Sequence, residues 1–498
     1  MKKFIFENKN LVILWILCGI TLFAFCGHYN NVLVELGKEL YYPERILDGK
    51  VLYKDLFLLN MPFSYLFNAL LYKIFSPNLV VLYTSGIVCS ISIVSGIYLI
   101  AKKFLSEKLS LILGIFTIVC GICATHMFNY TLPYSFGMLY GTVGLIYSLY
   151  ALIKFKEKNK TQYLYLAALL GGFCFANSID FLIYALFLLI TANLTKNKKV
   201  ILNSITCFMF VPLICVLVLF LQKLGISDCI TAIGTVIEFY TTKSIFHFYK
   251  VQGILFTPKL LKFWGLSLLQ MILFGGAFLG SFKLSEKNKI AGWLLILIIS
   301  VLLFIFSSPM TLILLVPITI LLAIFYSPKI KENKALVFFV IGVLTVCTKS
   351  FLMLLTMNYG NYVVPLIICA ILAILFTVVN KKYEKILIVI LVVLSINFLS
   401  VSIKERVFLN TKIATSKGVI YTFENNAKAT QQIIEKIQKD KPEKALIYPE
   451  GLIINFLSGI KSDDFYNTLT PATIETFGEQ TYIDYLSETK PEYIVINN

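Results

Sequence analysis

The stretch from residue 34 to 57, VELGKELYYPERILDGKVLYKDLF, concentrates charge in a chain of which only 14% is charged. It contains the acidic Glu35, Glu39, Glu44, Asp48 and Asp55 and the basic Lys38, Arg45, Lys50 and Lys54. A positioned carboxylate can accept a proton, and ammonium or guanidinium groups can neutralise an anion. A carboxylate in a polar loop, taken alone, is more often solvated surface. The stretch is therefore a candidate site whose meaning depends on the elements that position it.

The composition places this stretch in a membrane protein. The 498 residues are 58% hydrophobic, and the mean hydropathy is +0.82. Apolar runs repeatedly reach the roughly 20 residues that span a bilayer. The net charge of +17 does not indicate a nucleic-acid partner, because the lysines form short clusters between the apolar runs. We predict a polytopic α-helical protein whose surroundings are membrane lipids.

The apolar runs predict about thirteen transmembrane helices. The first run follows Lys2 and Lys3, but we expect it to be a retained span because no small-residue cleavage site follows it. The expected spans are 11–27, 79–101, 108–125, 132–154, 162–178, 180–195, 199–222, 264–282, 289–307, 309–326, 335–356, 361–380 and 385–402.

The lysine clusters indicate the topology. With a cytoplasmic N-terminus, AKKFLSEK, KFKEKNK, KNKK, KLSEKNK, PKIKENK and KKYEK all fall on the cytoplasmic side. The opposite connections HMFNYTL, SID, SSPM and MNYGN contain no Lys or Arg. An odd number of spans then predicts an extracytoplasmic C-terminus.

Three longer regions are expected outside the cytoplasm. The first is the loop 28–78, in which 61–75 is predicted as an interfacial helix, because counting it as a span would move every later lysine cluster outside. The second is the loop 223–263. The third is 403–498, predicted as a small α/β domain of parallel strands joined by crossovers, following a membrane domain at 1–402.

No cofactor or redox motif accompanies these regions. The eleven cysteines lie almost all in apolar runs, which does not indicate a disulfide framework. The sequence has no P-loop, no G-x-G-x-x-G and no zinc-type Cys/His spacing. Cytosolic nucleotide chemistry is therefore not supported.

GKVLYKDLF followed by MPFSYLFNALLYKIF, after a first span and an early carboxylate, resembles the GT-C superfamily of membrane glycosyltransferases. That group includes the protein O-mannosyltransferases and the aminoarabinose transferases of lipid A. In the tail, GVIYTF, YPEGLIINFLSG, TPATIETFGE and KPEYIVI resemble a bacterial branch, and the middle spans match only in number and topology. In these relatives Asp is usual where this chain has Glu35, and Arg is usual where it has Lys38. The resemblance implies a GT-C-like fold in the bacterial inner (plasma) membrane.

The resemblance also implies an activity. A hexosyl or pentosyl group would move from a polyprenyl-phosphate donor to a hydroxyl of a glycolipid, cell-surface glycan or protein at the extracytoplasmic face. Glu35 is the leading candidate for the general base and Asp55 the second, while cations would neutralise the leaving phosphate. The candidate substrate-binding residues are Lys38, Glu39, Arg45, Lys54, Lys349 and His247. Glu39 is expected to support rather than catalyse.

Several alternatives stay open at this point. Lys349, inside a predicted span, could meet a lipid phosphate or snorkel to the interface. A divalent metal held with Glu35 or Asp55 is one interpretation of the outward-facing His28, His126 and His247, and tolerated polar residues are the other, so no metal ligand is assigned.

Two other functions would share the span count. A flippase or transporter of lipid-linked glycans usually places polar groups at the bilayer midplane and has inverted repeats. A polysaccharide polymerase or ligase typically has several external arginines, whereas Arg45 and Arg406 are the only arginines here.

Overall fold

The computed structural model describes residues 8–33, 36–252, 255, 257–306, 315–347, 359–378, 383–462, 464–466 and 468–496. Two of the candidate site residues, Glu35 and Lys349, lie outside the described residues.

Helices form most of the described residues before the tail. Two 3-10 turns, Ile179–Phe181 and Tyr359–Tyr362, connect some of them. The α-helices of the described ranges are α1 (Lys9–Phe25), α2 (Leu36–Leu47), α3 (Phe63–Phe75), α4 (Leu79–Phe104), α5 (Glu107–Gly121), α6 (Phe136–Lys158), α7 (Thr161–Asn177), α8 (Leu182–Asn193), α9 (Lys198–Leu221), α10 (Ile226–Thr241), α11 (Lys243–Gln252), α12 (Pro258–Lys287), α13 (Lys289–Phe306), α14 (Leu315–Phe325), α15 (Ser327–Glu332), α16 (Lys334–Val346), α17 (Val364–Val378) and α18 (Glu384–Phe408).

Every predicted span contains a helix in its described part. In the described ranges, α4, α6, α9, α12, α13 and α18 are at least 18 residues long and apolar enough, by length and composition, to cross a membrane. Shorter apolar helices include α1, α14, α16 and α17, and the 3-10 turn at 179 continues into α8 as another. The predicted α-helical membrane fold is confirmed, while the number thirteen stays a prediction. The last of these helices, α18, extends beyond the predicted span 385–402 and ends at Phe408.

The tail contains two small sheets and four helices. Strands β1 (Thr411–Thr415) and β2 (Gly418–Thr422) form an antiparallel hairpin, and β3 (Ala445–Tyr448) pairs in parallel with β4 (Tyr493–Ile496). The helices are α19 (Glu424–Asp440), α20 (Leu452–Ser458), α21 (Pro471–Phe477) and α22 (Glu479–Thr489).

The predicted parallel arrangement is right for β3 and β4 and wrong for β2. Only two residues, Ser416 and Lys417, separate β1 from β2, and so short a connection joins antiparallel strands. Gly418, at φ +126, adopts a backbone conformation that L side chains rarely accept and starts the returning strand.

The three long polar regions meet at one end of the helices. The loop 28–78 is joined to the tail, and the tail is joined to the 223–263 segment. The joining contacts are Glu44–Lys417 at 2.5 Å, Asp48–Lys461 at 2.7 Å, Phe57 N–Phe465 O at 2.9 Å and Ser244 Oγ–Glu475 Oε1 at 2.5 Å. The regions therefore share one side of the molecule, as the lysine pattern predicts. Which side of the membrane this is stays a prediction.

Candidate functional site

Helix α2 carries the centre of the charged stretch and is held on several sides. It packs between α3 and the tail helix α20, and most of its 12 residues are buried. At Gly37 a Cβ atom would lie 2.3 Å from the backbone nitrogen of Ile453, so only glycine permits this approach. The chain leaves the helix at Gly49, whose φ of +89 lets the Lys50 N–H donate to the Arg45 carbonyl at 3.0 Å. The side chains of α2 are therefore positioned by the tail as well as by α3.

Glu39 is a buried carboxylate at the centre of this packing, with 2% of the residue exposed. Its Oε1 accepts a 2.9 Å hydrogen bond from the Tyr65 hydroxyl. Its Oε2 makes no hydrogen bond within the described residues, although the Phe136 N–H at the start of α6 favours the charged form. Burial raises the pKa of Glu39 to about 7, against the opposing effects of Tyr65, Phe136 and Lys38. The carboxylate can therefore gain or lose a proton near neutral pH.

A row of polar side chains lies on α3, the helix from which Tyr65 donates to Glu39. Ser64 Oγ, Asn68 Nδ2 and Tyr72 OH recur every four residues, so they share one face of the helix. All three atoms are buried without a hydrogen-bond partner in the described part of the chain. Burial, followed by the charges of Glu44 and Glu39, holds the pKa of Tyr72 well above its usual value. Because buried polar atoms are nearly always paired, such a row indicates a place for water or a polar ligand.

The predicted cationic residues have different surroundings. Arg45 is 3% exposed and forms a 2.7 Å ion pair with Asp48 inside the loop. Lys38 is half-buried and favours the charged form of the neighbouring Glu39. Lys54 has an exposed side chain, 4.0 Å from Asp228 of α10. Of these three cations, Lys38 is the one that acts electrostatically on Glu39.

Asp55 closes a turn. Its Oδ2 accepts the Val51 N–H at 2.8 Å, and its own N–H donates to the Val51 carbonyl at 2.8 Å. Between them Tyr53 adopts a φ of +69. His247 is exposed on α11, and no contact described in the structure joins it or Asp55 to Glu39. The roles predicted for Asp55 and His247 stay predictions.

Two of the three histidines, His28 and His126, have local partners. His126 is half-buried, and desolvation lowers its pKa to about 4; its Nε2 lies 3.3 Å from the Asn361 amide. His28 stacks on Tyr421 of β2 at 4.5 Å. Among the described residues, no group of three or more His, Cys, Asp or Glu side chains could hold a metal ion.

The sequence reasoning missed the polar row on α3 and a tail lysine, Lys417. The signal for the row was present, because Ser64, Asn68 and Tyr72 recur at a spacing of four in a segment that is otherwise mostly apolar. No local pattern indicates Lys417, which reaches this region only through the packing of the β1–β2 hairpin.

Comparison with known proteins identifies no family. No family model and no curated protein matches the chain. The crystal structure of ArnT from Cupriavidus metallidurans bound to undecaprenyl phosphate is similar at a TM-score of 0.47 and 8% identity, over 96% of this chain and 90% of the ArnT chain. A likeness of this degree carries no conclusion about this chain.

Proposed function

We propose that the protein is a membrane glycosyltransferase that moves a sugar from a polyprenyl-phosphate donor to an acceptor hydroxyl. The reaction takes place at the extracytoplasmic face of a bacterial membrane, where the three long polar regions meet. The acceptor is a glycolipid, a cell-surface glycan or a protein. A carboxylate of the loop 28–78 acts as the general base.

The observation that carries this proposal is the environment of Glu39. An acceptor hydroxyl must lose a proton as it attacks the sugar, and a base is most effective when its pKa lies near the working pH. Glu39 meets this requirement, with a pKa of about 7 and an oxygen that makes no hydrogen bond in the described part of the protein. The polar row on α3 supplies partners for a hydroxyl-rich substrate, and Lys38 brings positive charge to the same place.

Two further carboxylates compete for the role of base. The GT-C resemblance favours Glu35, four residues before Glu39 in the sequence. Asp55 is the second candidate from the sequence, but both its Oδ2 and its backbone N–H are engaged with Val51. In this proposal Glu35 or Glu39 takes the proton, and Asp55 keeps the 51–55 turn in shape.

The donor phosphate requires neutralisation of charge rather than a base. A phosphate is already a fair leaving group, so the protein has to neutralise its developing charge rather than protonate it. Lys38, Lys54 and Lys349 are the proposed cations, and Arg45 supports them through its pair with Asp48. A divalent metal bound with the donor would supply the same neutralisation.

The proposal is tested in cells. Glycolipids and surface glycans are compared by mass spectrometry between cells with and without the gene, and a transferase predicts a glycan that lacks one sugar together with accumulated donor lipid. Unchanged glycan structures in both strains would contradict a transferase. A lipid-linked glycan that is trapped unmodified on the cytoplasmic side would instead indicate a flippase.

The base is then identified by complementation with Glu35→Gln, Glu39→Gln and Asp55→Asn. Loss of a positioned base lowers turnover by about 10²- to 10⁴-fold, so one of these variants should fail while its yield in the membrane is kept. Glu488→Gln, at an exposed position on α22, is the control that should complement fully. If all three loop variants complement like the control, the loop does not supply the base.

A further inference from the structure

Two lysines meet at the end of the helices that lies opposite the candidate site. Helix α6 begins at Phe136, beside Glu39, and Lys156 lies in its last turn, about 30 Å further along the helix axis. Lys334 is the first residue of α16, and its charge acts on Lys156. The two lysines belong to KFKEKNK and PKIKENK, two of the clusters that the sequence places on the cytoplasmic side.

The carboxylate nearest to Lys156 in the sequence is already engaged. Glu157 Oε2 accepts a hydrogen bond from Lys103 Nζ at 3.0 Å and lies 3.9 Å from Lys154 Nζ. Among the described residues, no ion pair joins Lys156 or Lys334 to a carboxylate. Two like charges that lie close together repel each other unless an anion joins them. The described part of the chain supplies no such anion to this pair.

The Lys156 ammonium is held at a junction of three helices. Its Nζ lies 3.6 Å from the centre of the Phe338 ring of α16, a cation–π contact that fixes its position. The Phe338 ring in turn contacts Phe187 of α8, with ring centres 5.9 Å apart. The half-buried ammonium therefore lies where α6, α8 and α16 pack together.

Apolar side chains beside this junction are exposed to the surroundings of the protein. Ile190 lies about one turn beyond Phe187 on α8, and 60% of its surface is exposed. Ile341 lies about one turn beyond Phe338 on α16, and 42% of its surface is exposed. Exposed apolar residues of a membrane helix contact lipid tails. A cationic end and a lipid-facing apolar surface thus adjoin each other.

We infer that the junction of α6, α8 and α16 binds an anionic phospholipid, with its phosphate at Lys156 and Lys334 and an acyl chain along Ile190 and Ile341. The phosphate accepts charge-assisted hydrogen bonds from both ammonium groups and removes their repulsion. Basic pockets between transmembrane helices on the cytoplasmic side are suited to anionic head groups. This site lies at the other end of α6 from Glu39, and it does not depend on the proposed function.

The first test is thermal unfolding of the purified full chain in detergent, with phosphatidylglycerol, phosphatidylcholine or inorganic phosphate added. A ligand that binds the folded protein stabilises it in proportion to the logarithm of its concentration relative to its Kd. Phosphatidylglycerol should raise the melting temperature at about tenfold lower concentration than phosphatidylcholine. Equal effects of the two lipids, or equal protection by inorganic phosphate, would overturn the inference.

A matched pair of double variants separates this site from the general positive charge of the cytoplasmic side. Lys156→Gln/Lys334→Gln should bind phosphatidylglycerol about tenfold or more weakly, through loss of two charge-assisted hydrogen bonds. Lys287→Gln/Lys289→Gln removes the same charge from exposed positions in another predicted cytoplasmic cluster and should bind like the wild type. Equal losses in the two double variants would overturn the inference.

The single variant Lys334→Gln shows whether this lysine has a purely structural role. Without added lipid it should melt at the same temperature as the wild type or higher, because it removes the repulsion with Lys156. A lower melting temperature would mean that Lys334 stabilises the fold by itself and would overturn the inference.

Photocrosslinking locates the bound lipid. Phosphatidylglycerol that carries a diazirine on an acyl chain is added to the full chain in nanodiscs of phosphatidylcholine, and the crosslinked peptides are mapped. Crosslinks should fall on α8 and α16 around Ile190 and Ile341, and unlabelled phosphatidylglycerol should compete for them. Crosslinks that are spread evenly over the exposed helices, or confined to others, would overturn the inference.

Discussion

Replacing Glu39 with Gln tests the electrostatic argument without any knowledge of the substrate. The amide keeps the size of the side chain and an oxygen that can accept from Tyr65 at the same position. It cannot ionise, however, so the variant removes only the cost of burying a charge. The expected effect is a change in how stability depends on pH.

The magnitude follows from the pKa of Glu39. A rise from 4.5 to about 7 corresponds to about 3 kcal/mol of unfolding free energy. Below pH 4.5 the carboxyl is protonated in both states and contributes nothing. Between pH 4.5 and 7 the unfolded chain releases a proton that the folded protein keeps, so the wild type loses stability as the pH rises. Above pH 7 the unfolding free energy of the wild type is lower by the full amount of about 3 kcal/mol. Glu39→Gln does not lose this stability, because its amide cannot ionise.

The assay is thermal unfolding of the detergent-solubilised protein between pH 4 and 9, followed by intrinsic fluorescence. Wild type and Glu39→Gln should unfold at similar temperatures at pH 4, and the variant should be the more stable protein at pH 8. Glu488→Gln, at an exposed site, should follow the wild type throughout. Parallel profiles for wild type and Glu39→Gln would refute the burial of a titrating carboxyl at this position.

Three further results are expected. A reporter that is active only outside the cytoplasm should be active when fused after Phe408 and silent at Lys158, and the opposite pattern would invert the topology that the lysine clusters predict. Gly37→Ala should lower the unfolding free energy by about 1–3 kcal/mol or more, because the added methyl group would meet the backbone of α20. Gly19→Ala is the control and should not lower it, because no atom lies within 4 Å of the Cβ position of Gly19. Equal melting temperatures of the two variants would exclude the close contact at Gly37. Lys54→Met should weaken donor binding more than it changes protein yield, and an unchanged donor affinity in a direct binding assay would remove Lys54 from the proposed phosphate site.

The helices could be predicted from the sequence because their cause is local. A backbone in lipid has to satisfy its hydrogen bonds within its own segment, so the length and hydropathy of a run are enough to indicate a helix. Each expected span contains a helix in its described part, and the short segment 61–75 forms α3 at Phe63–Phe75. The shared side of the three polar regions followed from the lysine clusters, because the positive residues of short loops beside the spans indicate topology without any knowledge of packing. The GT-C resemblance and the role of Glu35 stay predictions.

The tertiary structure decided which charged groups differ from ordinary surface residues. In the sequence, Glu39 and Asp55 are two acidic residues of one polar stretch, but packing against α3 and α20 buries Glu39 while Asp55 closes a local turn. Lys417 pairs with Glu44 from a position 373 residues further along the chain. Burial and long-range pairing depend on which segments meet in space, and the pKa of a carboxyl responds to that environment rather than to its neighbours in sequence. The membrane helices are therefore determined by the local composition of the sequence. The chemistry of the candidate site depends on the packing of the loop 28–78, α3 and the tail against one another.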